Sequence, residues 1–265
     1  MFFAHKSIFV YYLIHLNQPV MNLISVKETI DKSQPLDFGS IFNRSIELFK
    51  KVWLQGFVTL LLTMLCIMPL YLIVYIPILS MGALDPEMLQ QQEPPAVFYI
   101  FMIVFIPIFI IVSSTISIAL VAAFYRICKQ KDLDQMGKED YFFFLKKGYL
   151  KKSFILGLIT FGISLLGMLT LGIGIIYVMV PISLLPAFLA YNDELSPLEM
   201  VKASFALGNK NWLVIFGLIV VMGLIGQLGF ILCFVGVFFT AMLSKIPTYY
   251  IYKDVFHSDE KLQSI

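Results

Sequence analysis

The stretch SFILGLITFGISLLGMLTLGIGIIYVMVPISLLPAFLAY, residues 153–191, contains 39 consecutive positions without a formally charged side chain. A single α-helix of that length would extend about 58 Å, nearly twice the ~30 Å thickness of a bilayer's hydrocarbon core. The stretch must therefore reverse once within the membrane. Gly172 and Gly174 supply the turn, which predicts a transmembrane hairpin with arms near residues 153–171 and 175–191.

Composition places the whole 265-residue chain in the same class. Hydrophobic residues make up 59% and charged residues 14%, against roughly 45–50% and 25% in soluble proteins. A soluble fold of this size could not hide so much apolar surface, so the chain is predicted to be an all-α integral membrane protein. The three cysteines, Cys66, Cys128 and Cys233, show no disulfide or metal spacing and are interpreted as structural.

Two apolar runs precede the central hairpin. Residues 53–78 and 97–125 are each long enough to span a bilayer, which takes about 20 apolar residues. The polar loop between them, residues 80–96, contains three acids and no lysine or arginine. The second run carries a small polar patch, which serves either close helix packing or a polar path through the membrane: Ser113, Ser114, Thr115 and Ser117.

Residues 212–252 are again too long for one helix, and their only charged side chain is Lys245. They predict a second tight hairpin, which brings the number of transmembrane helices to six. The turn lies at residues 233–236 if the length of the arms decides it, and at residues 226–229 if local polarity does.

Residues 36–52, LDFGSIFNRSIELFKKV, predict an amphipathic helix lying in the membrane interface. Their polar residues recur at spacings of three and four and so form one stripe: Asp37, Ser40, Arg44, Glu47 and Lys51. Asp37 is the predicted N-cap. An amphipathic segment with basic residues at its exit is typical of interfacial helices. Trp53, a residue type enriched at membrane interfaces, marks the start of the first span.

The chain has two tryptophans, Trp53 and Trp212, and both lie in similar sequence. The segment RSIELFKKVW, residues 44–53, aligns with ASFALGNKNW, residues 203–212, and shares Ser, Leu and Lys with it. This match indicates an internal repeat.

The ends of the spans match as well. SLLPAFLAYND, residues 183–193, and SKIPTYYIYKD, residues 244–254, share Ser, Pro, Tyr and Asp at identical spacings. A weaker copy, SIALVAAFYR at residues 117–126, keeps the interval of eight between Ser and Tyr. We therefore predict three repeats of one unit, an in-plane amphipathic helix followed by a helical hairpin. The middle in-plane helix would be YFFFLKKGYLKK, residues 141–152.

The distribution of positive charge predicts the orientation, because Lys and Arg collect in cytoplasmic loops. Of 19 basic residues, 18 lie in segments that a six-span arrangement puts on one side: the N-terminal segment, residues 126–152, residues 192–211 and the C-terminal tail. The chain is accordingly expected in the bacterial cytoplasmic (inner) membrane, with its N- and C-termini in the cytoplasm.

Three regions follow from these patterns. Residues 1–35 form an N-terminal segment, residues 36–254 a single six-span membrane domain, and residues 255–265 a cytoplasmic tail. The apolar part of residues 1–20 is too short to span a bilayer. The favoured hypothesis is that these residues are not translated and that Met21 is the start; a cleaved or anchoring segment and a genuine tail are the alternatives.

The segment LSPLEMVKASFALGNKNWLVIFGL, residues 195–218, has the marks of a capped helix that leads into the membrane. Ser196 is an N-cap, and Pro197 stands at the first helical position, where its missing N–H costs nothing. Glu199 completes a capping box. Trp212 then marks the return into the bilayer.

This segment resembles the "SPLEA…S…L…W" region of a bacterial superfamily of small polytopic inner-membrane proteins. The superfamily includes the membrane domain fused to some glycerophosphodiester phosphodiesterases. The resemblance covers about residues 36–256, and the end of the last hairpin, CFVGVFFTAMLSKIPTYYIYKD, is similar to the family's closing hairpin. It implies no catalytic residue in this region, and the phosphodiesterase activity belongs to a separate soluble domain.

The residues offer little for catalysis. The three histidines, His5, His15 and His257, lie outside the predicted spans and are too few for an iron centre. No P-loop, nucleophile elbow or dinucleotide fingerprint occurs. We therefore predict that the chain is not an enzyme, with no catalytic, metal-binding or cofactor-binding residue and no cofactor.

Lys245 is the one candidate functional residue inside a predicted span. A lysine at mid-bilayer costs roughly 2.5–3.5 kcal/mol, which makes it a functional candidate by default. The alternative is that its stem lies along apolar surface while the ammonium reaches the cytoplasmic face.

The function predicted from these features is that of a non-catalytic accessory, scaffold or lipid-interface protein of unknown molecular activity. A small-solute transporter or channel component is the alternative. The expected partners are membrane lipids and an unidentified membrane protein; the net charge of +2 indicates no nucleic-acid partner. The eight basic residues of segment 126–152 either contact anionic headgroups or only set the topology.

Overall fold

The computed structural model describes residues 22–80, 96–135, 137–170, 172–229 and 236–256. Within these ranges the regular structure is entirely helical, without strands. The first half contains α1 (Leu23–Lys32), α2 (Phe38–Ser80), α3 (Ala96–Asp132), α4 (Leu150–Leu169) and α5 (Ile173–Tyr191). The second half contains α6 (Pro197–Lys210), α7 (Trp212–Leu228), α8 (Gly236–Thr240) and α9 (Ile246–Phe256). Short 3₁₀ helices lie at Phe143–Leu145 and Ala241–Lys245.

Four of these helices, α2 to α5, are long and apolar enough to cross a membrane. A fifth crossing results if α6 and α7, which meet at an angle of 91°, together form one broken span. The chain is thus a multi-pass helical membrane protein. The second arm of the last predicted hairpin is divided among α8, a 3₁₀ helix and α9, so the count of six spans remains a prediction.

The separate in-plane helix predicted at residues 36–52 is wrong. α2 continues without a break from Phe38 to Ser80, 43 residues or about 64 Å. Its predicted N-cap is confirmed, because the Ser40 amide donates to Asp37 Oδ1 at 2.6 Å. The helix continues past Trp53 because no proline interrupts it there. Two residues of its polar stripe bond elsewhere in the protein, Arg44 to Asp254 of α9 and Lys51 to Asp134 after α3.

The predicted second span, residues 97–125, lies within α3. α3 continues seven residues past Tyr125, to Asp132, and its side chains at residues 118–125 are all buried in protein contacts.

The middle in-plane helix predicted at residues 141–152 is also wrong. A 3₁₀ turn at Phe143–Leu145 replaces it, and α4 begins only at Leu150. Of the three predicted repeat units, only α6 followed by α7 shows a separate amphipathic helix turning sharply into an apolar one.

The turn of the central hairpin is confirmed at Gly172. This residue has φ of 82°, a left-handed conformation that glycine adopts without steric cost. Gly174 belongs to α5 and packs so closely on α4 that a Cβ there would lie 2.9 Å from the Cα of Gly167. In the last hairpin, α7 continues through Gly226, so the turn predicted at residues 226–229 is wrong. The alternative at residues 233–236 lies, apart from Gly236, outside the described residues.

Helix α1 is a feature that the sequence analysis did not predict. Asn22 caps it by accepting from the Ser25 amide at 2.9 Å, and its buried side chains, Val26 and Ile30, face α6 and α9. The Lys210 ammonium of α6 donates to carbonyl oxygens at the end of α1, including that of Asp31 at 2.9 Å. Ten residues form a marginal helix in isolation, so α1 depends on these contacts. The predictions for residues 1–20 and for residues 257–265 lie outside the described residues.

The buried core is concentrated at one end of the helices. Its longest buried stretches are residues 118–128 of α3, apart from the partly exposed Arg126, residues 184–189 of α5 and most of α9. In contrast, large apolar side chains are exposed along the distal parts of α2 and α3, among them Leu65 and Ile103. Exposed apolar surface of this extent is typical of lipid contact. We call the end that contains the start of α2, the ends of α3 and α5, and α9 the helix base.

Candidate functional site

The helix base holds a network of charged and tyrosine side chains around Asp132, the last residue of α3. Its carboxylate accepts from the hydroxyls of Tyr249 at 2.8 Å and Tyr250 at 2.7 Å. The Lys253 ammonium donates to the same carboxylate at 2.6 Å. All three donors belong to α9. Asp132 therefore ties α3 to α9 through charge-assisted hydrogen bonds, which are stronger than neutral ones.

A second ion pair joins α9 to α2. Both terminal guanidinium nitrogens of Arg44 donate to the Asp254 carboxylate, with Nη1 at 2.9 Å from Oδ1. The guanidinium also lies over the ring of Tyr250, 4.6 Å from its centroid, a favourable cation–π contact. We call the six residues of these contacts the base network: Arg44, Asp132, Tyr249, Tyr250, Lys253 and Asp254.

Three tyrosines that the proposed repeat places in register lie together beside this network. The hydroxyl of Tyr191 donates to the carbonyl oxygen of Tyr125 at 2.6 Å. The rings of Tyr191 and Tyr252 lie 4.9 Å apart, and the Tyr252 hydroxyl donates to Asn192. The ends of α3, α5 and α9 are thus joined at one point.

The base network has no net formal charge, since two cations face two carboxylates. Each charged side chain in it has a partner of opposite sign. An arrangement of this kind fixes the helices relative to one another. Among the described residues, no three or more His, Cys, Asp or Glu side chains form a group suited to a metal ion.

Lys245, the candidate from the sequence, lies at the end of the second 3₁₀ helix with an exposed side chain. It makes no hydrogen bond or ion pair with any residue that the structure describes. Two contacts with α2, one on either side of Lys245 in the sequence, show where Lys245 lies along that helix. Met242 lies against Gly56, and Asp254 binds Arg44. Counted along both segments from these contacts, Lys245 is about level with Trp53 of α2, two residues beyond the charged stretch at residues 47–51. That position fits an ammonium that reaches the membrane surface.

The two tryptophans occupy different settings. Trp53 lies within α2, 43% exposed, with its ring 5.8 Å from that of Phe239. Trp212 is the first residue of α7, and its indole N–H donates to the carbonyl oxygen of Tyr177 in α5 at 3.2 Å. Only Trp212 thus stands at a change of helix direction, where the sequence analysis placed both.

The capping box predicted at the start of α6 is present. The Ser196 side chain accepts from the Glu199 amide, and the Glu199 carboxylate accepts from the Ser196 amide at 2.9 Å. α6 then lies along α5, where a Cβ on Gly208 would be 3.3 Å from Pro181. Ser196 and Glu199 therefore have a structural role, as the cap of a helix that packs on α5.

The small polar patch of α3 lies at its contact with α4. A Cβ on Gly157 would lie only 2.3 Å from the Thr115 hydroxyl oxygen and 3.0 Å from the Ile111 carbonyl oxygen. The Thr115 hydroxyl donates to that same carbonyl at 2.8 Å. This close approach favours the helix-packing interpretation of the patch.

The loop after α3 folds back onto α2. Glu139 accepts from Gln55 at 3.0 Å and pairs with Lys131 at 3.0 Å. Burial opposes the charged form of Glu139, but the hydrogen bonds from Lys131 and Gln55 outweigh it and lower its pKa. The loop borders a polar cavity of about 340 Å³, lined by Gln130, Lys131, Asp134, Gln135 and Gly137.

No family model, curated protein or solved structure matches this chain. The interpretation of the site therefore rests on its own geometry.

Proposed function

We propose that this chain is a non-catalytic component of the bacterial cytoplasmic membrane that acts at the inner surface of the bilayer, as an accessory, scaffold or lipid-interface protein. The observation that carries this proposal is the base network. Its charged side chains pair with one another, and these ion pairs join α2, α3 and α9. The distal parts of α2 and α3 expose large apolar side chains, which suits lipid contact.

The finer topology belongs to the same proposal. Six spans with both termini in the cytoplasm place the base network, with the basic loop after α3, on the cytoplasmic side, as the distribution of Lys and Arg favours. The convergence of Tyr125, Tyr191 and Tyr252 supports a threefold repeat of the second helix of each hairpin. Membership of the inner-membrane superfamily, which the resemblance of residues 195–218 suggests, is part of the same proposal.

A small-solute transporter or channel component is the second candidate. It is favoured by buried hydroxyls at the contact of α3 and α4. The side-chain oxygens of Ser113 and Thr160 are buried without a hydrogen-bond partner among the described residues. Such groups in a membrane domain mark a polar path in some carriers.

Substitution of Lys245 separates these two functions. A transport lysine must keep its charge, whereas a lysine that only reaches the surface need not. We expect Lys245→Leu to leave the melting temperature in detergent equal or higher, since it removes an exposed charge without a described partner. In a strain lacking the gene, the variant should restore the wild-type phenotype fully.

Lys253→Leu is the matched control for this experiment, because it removes a lysine whose ammonium is paired with Asp132. Its melting temperature should fall clearly below that of the parent. If Lys245→Leu accumulates and folds normally yet reproduces the deletion phenotype, the accessory role is wrong and transport takes its place.

A further inference from the structure

Two cations on the last turns of α3 lack an anionic partner. Arg126 and Lys129 are three residues apart and therefore neighbours on one face of the helix. Both side chains are only partly exposed. Neither makes a hydrogen bond or ion pair with any residue that the structure describes, although partly buried cations are normally paired.

Aromatic rings hold both cations in position. The Arg126 guanidinium carbon lies 3.7 Å from the ring centroid of Phe143. The Lys129 ammonium lies 5.7 Å from the ring centroid of Tyr191. A guanidinium stacked in this way keeps its N–H donors free at its edge, in the fork that matches phosphate oxygens. The two side chains are thus oriented without being neutralised.

The carboxylates nearby bind other groups. Asp132, one turn further along α3, is bound by Lys253. Asp140 in the following loop is bound by Lys146. Asp193, which follows α5, accepts from the Tyr149 hydroxyl at 2.9 Å and pairs with Lys152. The positive charge of Arg126 and Lys129 is therefore available to an anion from outside the described chain.

The position of the pair identifies the anion. The apolar sequence of α3 ends at Arg126, which places the pair where hydrocarbon gives way to headgroups. Large apolar side chains are exposed beside it, with Phe142 at 42% and Leu150 at 44%. A ligand that combines a phosphate with acyl chains fits both features. We propose that Arg126 and Lys129 bind the phosphate of an anionic phospholipid, which rests on and sharpens the proposed role at the lipid interface.

Lipid titration of the full-length protein tests this site. The purified chain in detergent is titrated with phosphatidylglycerol, with phosphatidylcholine and with sodium phosphate, and the melting temperature gives an apparent Kd. We expect the wild type to prefer phosphatidylglycerol. The double variant Arg126→Gln/Lys129→Gln should bind it at least about tenfold more weakly, because two charge-assisted contacts are lost.

Lys147→Gln/Lys151→Gln is the matched control. Both lysines are exposed, Lys147 before the start of α4 and Lys151 in its first turn, and neither makes a hydrogen bond or ion pair with described residues. Their loss removes the same charge but should weaken binding by about twofold or less. Equal weakening by the two double variants would show diffuse attraction and overturn the site. Equally tight binding of free phosphate would also overturn it, in favour of a soluble anion.

A third anion source is the chain's own tail, which carries Asp259 and Glu260. If the wild type shows no lipid preference but Asp259→Asn/Glu260→Gln gains one, the tail occupies the site and the lipid proposal is wrong. Should the Arg126 double variant fold poorly, Lys129→Gln against Lys151→Gln gives the same comparison. A negative result leaves the Lys245→Leu test unaffected, so failure of this site and failure of the proposed function are distinguishable.

Discussion

Replacing Asp132 by alanine is expected to lower the free energy of unfolding in detergent by about 3 kcal/mol or more. Asp132 is the common acceptor of two tyrosine hydroxyls and the Lys253 ammonium. Its side chain is only 17% exposed, and that of Lys253 only 26%. Removing the carboxylate leaves a largely buried ammonium and two hydroxyls without their acceptor, which costs more than a lost surface contact.

Asp134→Asn provides the control for this substitution, because asparagine also tolerates the left-handed backbone that Asp134 adopts, with φ of 48°. Asp134 is two residues away and also pairs with a lysine, Lys51, at 3.0 Å, but its side chain is 82% exposed. Exposed ion pairs contribute about 0–1 kcal/mol. Equal losses of stability at the two positions would contradict a structural role for the base network. Thermal or denaturant unfolding of the purified variants gives the comparison.

Gly157→Ala should destabilise the protein by about 1–3 kcal/mol, because a methyl group cannot fit at the contact of α3 and α4. The added Cβ would lie 2.3 Å from the Thr115 hydroxyl and 3.0 Å from backbone atoms of α3. Moving the flexible hydroxyl would relieve only the first of these contacts. The two helices would have to separate, and they would lose packing along their length.

Gly162→Ala is the control in the same helix. A Cβ at Gly162 would meet nothing within 4 Å, and alanine favours helix over glycine by as much as about 1 kcal/mol. The two substitutions should therefore shift the melting temperature in opposite directions, or leave Gly162→Ala neutral. A fall of equal size for both variants would show that the close approach of α3 and α4 is not important for stability.

The features that the sequence predicted correctly depend on local properties. The 39 uncharged residues at 153–191 exceed the length of one span, so a hairpin follows from bilayer thickness alone, and the turn is found at Gly172. The Ser196 capping box is confirmed because both partners lie within four residues. The N-cap at Asp37 is confirmed for the same reason.

The features that the sequence did not predict depend on distant partners. An amphipathic stripe such as that of residues 36–52 packs equally well on a membrane surface or on other helices. Here Arg44 binds Asp254, 210 residues further along the chain. Asp132 meets Tyr249 across 117 residues. No sequence spacing relates residues so far apart, and in the sequence their charges indicate only the topology.

The tyrosines of the base illustrate an intermediate case. The equal spacing from Ser to Tyr at residues 117–125, 183–191 and 244–252 predicted equivalent positions. Tyr191 contacts both Tyr125 and Tyr252, while the repeat itself stays a prediction. Their function in joining helices, however, depends on the crossing of the hairpins, which the repeat does not specify.

The central claim, a membrane-spanning chain with its helix base in the cytoplasm, is tested most directly by labelling single cysteines in intact cells with a membrane-impermeant maleimide. The native cysteines are first replaced, and Gln91→Cys and Gln135→Cys are then made separately. Gln135 follows α3 at the helix base, and Gln91 lies in the loop without Lys or Arg. We predict that the cysteine at 91 reacts in intact cells and that the cysteine at 135 reacts only after permeabilisation. Labelling of both from the same side would contradict the account.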